Sequence, residues 1–168
     1  GTVRGMTNAA AQQLNMHAGR GGAASVQAAP KKANTSSVRE KTLEGDQFLR
    51  QQQFSLALQA YEEALNMEPR DLYAWNGKGT AHYYQGSYRR AFEAYQHAID
   101  IAPEEVKVWV SAGVALNYLQ RYQQALVHFE RALSLDPNNV SAWNGKGDAQ
   151  LGLNKPEDAF ESYRQALT

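Results

Sequence analysis

The sequence of 168 residues contains no cysteine, so disulfide bonds and thiolate chemistry play no part in its fold or function. It has no apolar run of about 18 residues, and we therefore expect no membrane insertion. No apolar core of a signal peptide is present either, and we favour a cytoplasmic location. The 17 basic residues balance the 17 acidic ones without a long Lys/Arg cluster. Nucleic-acid binding needs phosphate neutralisation, so the sequence predicts no nucleic-acid partner.

Residues 1–37 lack aromatic and acidic side chains altogether. They are rich in Ala, Gly, Ser and Gln, and their four cations, Arg4, Arg20, Lys31 and Lys32, give them a charge of +4 against −4 for the remainder. So few apolar residues cannot offset the entropy cost of ordering a chain. We predict that residues 1–37 form a flexible basic tail or linker.

A repeat begins after this tail. The hexapeptide AWNGKG stands at 74–79 and again at 142–147, and midway, at 108–113, the chain reads VWVSAG, which sets a period of 34 residues. Small and aromatic residues recur at that interval, and we predict a structural role for Gly45, Gly79, Gly113, Gly147, Trp75, Trp109, Trp143, Ala57, Ala91, Ala125 and Ala159. Such self-similarity is typical of stacked repeats.

Each unit reads as two helices joined by a short turn. In the second unit we predict helices over 72 to about 85 and about 88–101, a turn at 86–88, and an end to the second helix before Pro103. The predicted units are repeat 1 at 38–71, repeat 2 at 72–105, repeat 3 at 106–139 and a truncated repeat 4 at 140–168. Glycine inside a helix costs about 1 kcal/mol relative to alanine. We therefore expect the glycine column to permit close helix approach, with small alanines opposite and tryptophan as the large apolar partner.

These columns resemble the tetratricopeptide repeat, whose pattern is W-x2-L-G-x2-Y, then A-x3-F, then A and P. Repeat 3 matches at Trp109, Gly113, Leu116, Ala125, Phe129, Ala132 and Pro137. Departures are Lys41 in the Trp column and Glu44, Lys78, Ala112 and Lys146 in the Leu column. The resemblance covers residues 38–168 and implies an all-α, right-handed α-solenoid of about four helix-turn-helix repeats.

The resemblance also implies a concave groove that binds a peptide or helix of a partner protein. Carried over by position, the groove residues are Thr42, Asp46, Leu49, Arg50, Tyr73, Asn76, Thr80, Tyr83, Tyr84, Lys107, Val110, Val114, Asn117, Tyr118, Ser141, Asn144, Asp148 and Leu151. This set is rich in Tyr and Asn and poor in charge. Tyrosine offers rigid contact area with a polar tip, and asparagine can hydrogen-bond a peptide backbone.

One subset of the family binds the acidic C-terminal tail of chaperones with Lys, Asn and Arg side chains. The matching positions here hold Thr42, Asp46, Gly77, Lys107 and Ser111, or, one repeat along, Asn76, Thr80, Ser111, Ser141 and Gly145. Neither set supplies three cationic or amide donors. We predict that the chaperone tail is not the partner.

Enzymatic and cofactor readings find little support in the sequence. A phosphate loop that included NGKG would need glycine where Leu72 and Val140 stand. The four histidines include no i, i+4 pair and lack a frame of acids suited to zinc. We expect no catalytic residues, no cofactor and no metal.

The sequence therefore favours a protein–protein interaction scaffold or adaptor. The alternative is a regulatory or oligomerisation segment of a larger multidomain protein. The last repeat has no capping helix, which leaves Phe160, Tyr163 and Leu167 partly uncovered and predicts a homo-oligomer. A further possibility is that the basic tail, with a weakly amphipathic helix at 6–17, occupies the groove.

Overall fold

Eight α-helices and no strand make up residues 34–168, the part of the chain that the computed structural model describes. Their bounds are α1 Thr35–Arg50, α2 Phe54–Met67, α3 Leu72–Tyr84, α4 Tyr88–Ile101, α5 Val106–Tyr118, α6 Tyr122–Leu135, α7 Val140–Gly152 and α8 Pro156–Ala166. The two helices predicted for repeat 2 are confirmed, as is the all-α repeat architecture.

The first helix begins earlier than the sequence suggested. Residues 35–37, which we assigned to the tail, belong to α1. The physical reason is the side chain of Asn34, which accepts a hydrogen bond from the backbone N–H of Ser36 and so caps the helix. The rest of the predicted tail, including the helix at 6–17, lies outside the described residues.

The helices stack with a consistent asymmetry. Each first helix packs on the second helix of its own repeat and also contacts the first helix of the next, so that α1 meets α3, α3 meets α5 and α5 meets α7. Within residues 34–168 no second helix contacts another second helix. The first helices are thus closer together, and the stack curves with α1, α3, α5 and α7 on its inner side. We call this surface the first-helix face.

The turn inside each repeat contains one residue in the left-handed backbone region. These residues are again 34 apart: Gln52, Gly86, Gln120 and Asn154, with φ between 57° and 74°. In repeat 3, the N–H of Gln120 bonds to the carbonyl of Asn117 and the N–H of Arg121 to that of Leu116, which satisfies the last carbonyls of α5. Only Gly86 is free of the steric cost that a Cβ atom imposes there.

Gln120→Gly should therefore raise the free energy of unfolding by about 0.5–1 kcal/mol. The substitution removes the steric cost of a Cβ atom in the left-handed region, and the greater conformational entropy of glycine in the unfolded chain offsets part of that gain. Gly86→Gln should lower it by a similar amount. Urea unfolding followed by circular dichroism measures both. As a control, Gln59→Gly in the interior of α2 should destabilise by about 1 kcal/mol. Loss of stability in Gln120→Gly would contradict the argument.

The turns between repeats explain the spacing of proline and tryptophan. The indole N–H of Trp75 donates to the carbonyl of Pro69 at 2.9 Å, and the Trp109–Pro103 and Trp143–Pro137 bonds are both 2.8 Å. Proline ends the preceding helix, and its carbonyl then anchors the ring that opens the next repeat. Repeat 1 has Lys41 in place of tryptophan, and its ammonium pairs instead with Glu44 and Glu63.

Candidate functional site

The first-helix face is built on aromatic rings held between helices. The side chain of Phe129 from α6 is fully buried, and a Cβ atom added to Gly113 of α5 would lie 2.7 Å from its ring. A Cβ atom on Gly145 of α7, in the next repeat, would overlap the same ring. Tyr61 lies between Gly45 and Gly77 in the same way. The glycines thus let the rings of Tyr61 and Phe129 each join two successive first helices.

This contact corrects our expectation about the glycine column. We predicted alanines opposite the glycines and tryptophan as the large partner. The structure instead places Tyr61, Tyr95, Phe129 and Tyr163 against them, because these residues project from the second helix towards the first. Trp75 stacks on His97 of α4, with ring centroids 4.1 Å apart.

The structure gives a packing or polar role to five of the six residues of the hexapeptide AWNGKG. In the copy at 74–79 Ala74 is buried, and the indole N–H of Trp75 donates to the carbonyl of Pro69. The ring of Tyr61, from the preceding repeat, packs against Gly77, and the ring of Tyr95, from the same repeat, packs against Gly79. The Lys78 ammonium lies 3.2 Å from Glu62 of the preceding repeat and 5.4 Å from the Trp75 ring centroid. Lys146 makes the equivalent contacts with Glu130 and Trp143. Each copy therefore joins one repeat to the one before it.

Four of the predicted groove residues, Asp46, Thr80, Val114 and Asp148, face the aromatic ring that the second helix of the same repeat presents to the first. Asp148 accepts a hydrogen bond from the hydroxyl of Tyr163 at 2.6 Å, and the hydroxyls of Thr80 and Tyr95 are 3.2 Å apart. Val114 occupies the equivalent position in repeat 3, where the ring is Phe129 and carries no hydroxyl. In this column of first-helix residues, which recurs every 34 residues, a polar side chain therefore faces a tyrosine hydroxyl and an apolar side chain faces the phenylalanine ring.

The same arrangement recurs in repeat 1, where the Tyr61 hydroxyl donates to Asp46 at 2.7 Å. Burial, helped by this carboxylate, raises the pKa of Tyr61 above its ordinary value. For Tyr163 burial and Asp148 raise the pKa to about 12. Both phenols are therefore neutral at physiological pH and act as hydrogen-bond donors.

The exposed part of the first-helix face is dominated by tyrosine. Tyr73, Tyr84 and Tyr118 have relative exposures of 72%, 61% and 55%. Lys107 and Asn144 are exposed as well, whereas Val110 and Val114 are half-buried and pack with the core of repeats 3 and 4. The predicted set thus divides into side chains that a partner can reach and side chains that support them.

Two asparagines of the predicted groove are half-buried. The Asn117 amide nitrogen donates to the carbonyl of Gly145 at 2.9 Å and so ties α5 to α7. The side-chain oxygens of Asn76 and Asn117 are buried without a hydrogen-bond partner in the described part of the chain. The side chain of Asn117 therefore links repeat 3 to repeat 4.

An aromatic cluster runs along the edge where first helices end and second helices begin. Tyr83 lies 5.4–5.6 Å, centroid to centroid, from Tyr84, Tyr88 and Tyr118, with its ring steeply inclined to each. Tyr88 and Tyr118 stack at 4.5 Å, and Phe54 stacks on Tyr84 at 5.9 Å. Sequence reasoning missed the role of Tyr88. The recurrence of aromatic residues at 54, 88 and 122, the first position of the second helix in repeats 1 to 3, was the signal that could have revealed it.

Residues 34–168 hold no group of three or more His, Asp or Glu side chains arranged to bind a metal. Within the same residues, no helix has the length and apolarity needed to cross a membrane.

Comparison with protein families agrees with this architecture. Three models described as tetratricopeptide repeats match the sequence, at residues 42–106, 106–139 and 128–161. This chain is a member of the tetratricopeptide repeat family. Its four repeats carry the glycine, alanine and aromatic columns of that family, and the buried rings described above are the contacts that those columns make.

Solved tetratricopeptide repeat structures share the fold at low identity. A crystal structure of MamA superposes with a TM-score of 0.74 at 18% identity, covering 81% of this chain and 80% of that one. MamA from Desulfovibrio magneticus RS-1 gives 0.73 at 15%, with coverages of 79% and 75%. The first tetratricopeptide repeat domain of Spaghetti (RPAP3), bound to the HSP90 peptide SRMEEVD, gives 0.70 at 20%, with coverages of 73% and 98%. No curated protein sequence matches significantly.

Proposed function

We propose that this protein is an interaction scaffold that binds a segment of a partner protein along the first-helix face. The observation that carries the proposal is the row of exposed tyrosines, Tyr73, Tyr84 and Tyr118, on helices whose positions are fixed by buried rings. A rigid surface with large amphipathic side chains loses little conformational entropy on binding. The RPAP3 domain of the same fold is bound to an HSP90 peptide, which supports a peptide segment as the partner.

The test places a photo-crosslinking amino acid at Tyr73 or Tyr84 in the full chain. We expect covalent adducts with one partner segment at both positions, whereas the same group at Val127, which is 59% exposed on the second helix α6, should give none. The captured segment is then synthesised, and its affinity for the full chain is measured by isothermal titration calorimetry.

The combined substitution of Tyr73, Tyr84 and Asn144 by alanine should weaken that affinity at least about tenfold, since tyrosines are frequent anchors of interfaces. Helicity should be retained, because all three side chains are exposed. Val127→Ala serves as the matched control. If the triple variant bound the segment as tightly as the natural chain, the first-helix face would not be the binding surface.

Oligomerisation is the second candidate, favoured by one observation at the last repeat. Phe160, in the middle of α8, and Leu167, directly after its end, have exposures of 69% and 88%. A second copy that stacked α1 on this end in the register of the internal repeats would bring Leu43 to the position held by Gly77 and Gly145. The internal repeats have only small residues at this position, Gly77, Ser111 and Gly145, and a Cβ atom on either glycine would overlap the facing ring. Leucine is larger than any of them, so head-to-tail stacking is disfavoured, and we rank the scaffold function first.

A further inference from the structure

A cavity of about 560 Å³ lies at the end of the first-helix face nearest residue 34. It is bordered by α1, by the turn before α3 and by the start of α3. Val38, which lines it, is buried, and Leu43 and Tyr73 line it with exposures of 48% and 72%. Pockets of this size and character bury an apolar group while a few polar groups fix its orientation.

The polar groups around this cavity are mostly acidic. Asp46, Glu68 and Asp71 line it, and Arg39 is the only cation among its described lining residues. None of the three carboxylates forms an ion pair with any residue from 34 to 168. All three accept hydrogen bonds that fix their positions: Asp46 from the Tyr61 hydroxyl, Asp71 from the backbone N–H of Ala74 at 2.6 Å, and Glu68 from the backbone N–H of Arg70 at 3.1 Å. The rim therefore presents an excess of fixed negative charge.

We propose that this cavity receives an apolar side chain of a partner segment that carries lysine or arginine next to that side chain. The apolar anchor is buried against Val38, Leu43 and Tyr73, and the adjacent cations reach the carboxylates on the rim. Charge complementarity selects this partner, because an acidic segment would meet uncompensated carboxylates at close range. The inference rests on the proposed function and adds to it the chemistry of the bound segment.

Three short synthetic peptides test it, sharing a Leu-Phe centre that is flanked by lysines, by serines or by glutamates. Each carries a fluorophore and is titrated with the full chain by fluorescence anisotropy. The lysine-flanked peptide should bind about tenfold tighter than the serine-flanked one, and the glutamate-flanked one weakest. Raising the salt concentration should reduce the difference. Absence of binding by the lysine-flanked peptide, or equal binding of all three, would overturn the inference.

Two charge reversals at the rim should act in opposite directions. Glu68→Lys should weaken binding of the lysine-flanked peptide about fivefold, and Arg39→Glu should strengthen it by a similar factor. Both side chains are exposed, so thermal unfolding should be little changed. Asp100→Lys is the control, since it makes the same change in net charge on the exposed side of α4, and it should leave the affinity unaltered. Equal effects of Glu68→Lys and Asp100→Lys would mean that net charge alone acts, and would also overturn the inference.

The scaffold function can stand when this inference fails. If the glutamate-flanked peptide bound best and the alanine substitutions of Tyr73 and Tyr84 weakened it, the first-helix face would remain the binding surface with the opposite charge preference. If no peptide bound and no adduct formed at Tyr73 or Tyr84, the proposed function itself would be wrong.

Discussion

Gly145→Leu is expected to lower the free energy of unfolding by about 3 kcal/mol or more. A Cβ atom at this position overlaps the ring of Phe129, and the ring cannot retreat because Gly113 lies against it as well. Helices α5 and α7 must therefore move apart, or the ring of Phe129 must leave its position between them. Better helix propensity of leucine returns less than about 1 kcal/mol. Urea denaturation followed by circular dichroism measures the loss.

Gly147→Leu supplies the matched control. Its Cβ atom would lie 2.5 Å from the ring of Tyr163, as tight as at the other glycines of the column. Tyr163 is only half-buried, however, and no described helix covers the side of its ring that faces away from Gly147. The ring can move outwards, so we expect a loss of about 1 kcal/mol or less.

A second substitution tests the cause of the loss. In the double variant Gly145→Leu/Phe129→Ala the ring that obstructs the leucine is gone, and the combined loss should be smaller than the sum of the two single losses. Additive losses would show that Gly145 is needed for some reason other than its contact with Phe129.

Much of this fold could be predicted because residues with the same structural role recur at the same position in four successive repeats. The period, the two helices per unit and their ends in repeat 2 follow from columns such as Trp75–Trp109–Trp143, which no single copy would establish. Side-chain partners were harder to predict. Sequence spacing shows which residues share a column but not which column lies opposite, and so the rings at Tyr61 and Phe129 were not matched to their glycines.

The candidate site was predicted only in outline. Thr80 and Val114 project from first helices, as the groove residues should, yet each faces the buried ring of its own repeat. The acidic rim was missed in part because Glu68 and Asp71 lie in the turn between repeats rather than on a first helix. The left-handed residues Gln52 and Gln120 gave no signal, since neither is a glycine.

Phe129→Tyr is expected to cost about 1–3 kcal/mol, although it adds a single atom. The position is fully buried, and the repeat predicts that the new hydroxyl would point to Val114, which stands where Asp46 and Thr80 receive the hydroxyls of repeats 1 and 2. A buried hydroxyl without a partner loses its hydrogen bonds to water and gains none in exchange.

Adding Val114→Thr should recover most of that loss, because it recreates the Tyr95–Thr80 pair, in which the two hydroxyls are 3.2 Å apart. On its own Val114→Thr should be destabilising, since it places a hydroxyl beside an apolar ring. The four free energies of unfolding, measured in urea, give the coupling between positions 114 and 129, which we expect to be favourable by about 1 kcal/mol or more. A coupling near zero would mean that the polarity of this column is not matched to the ring it contacts.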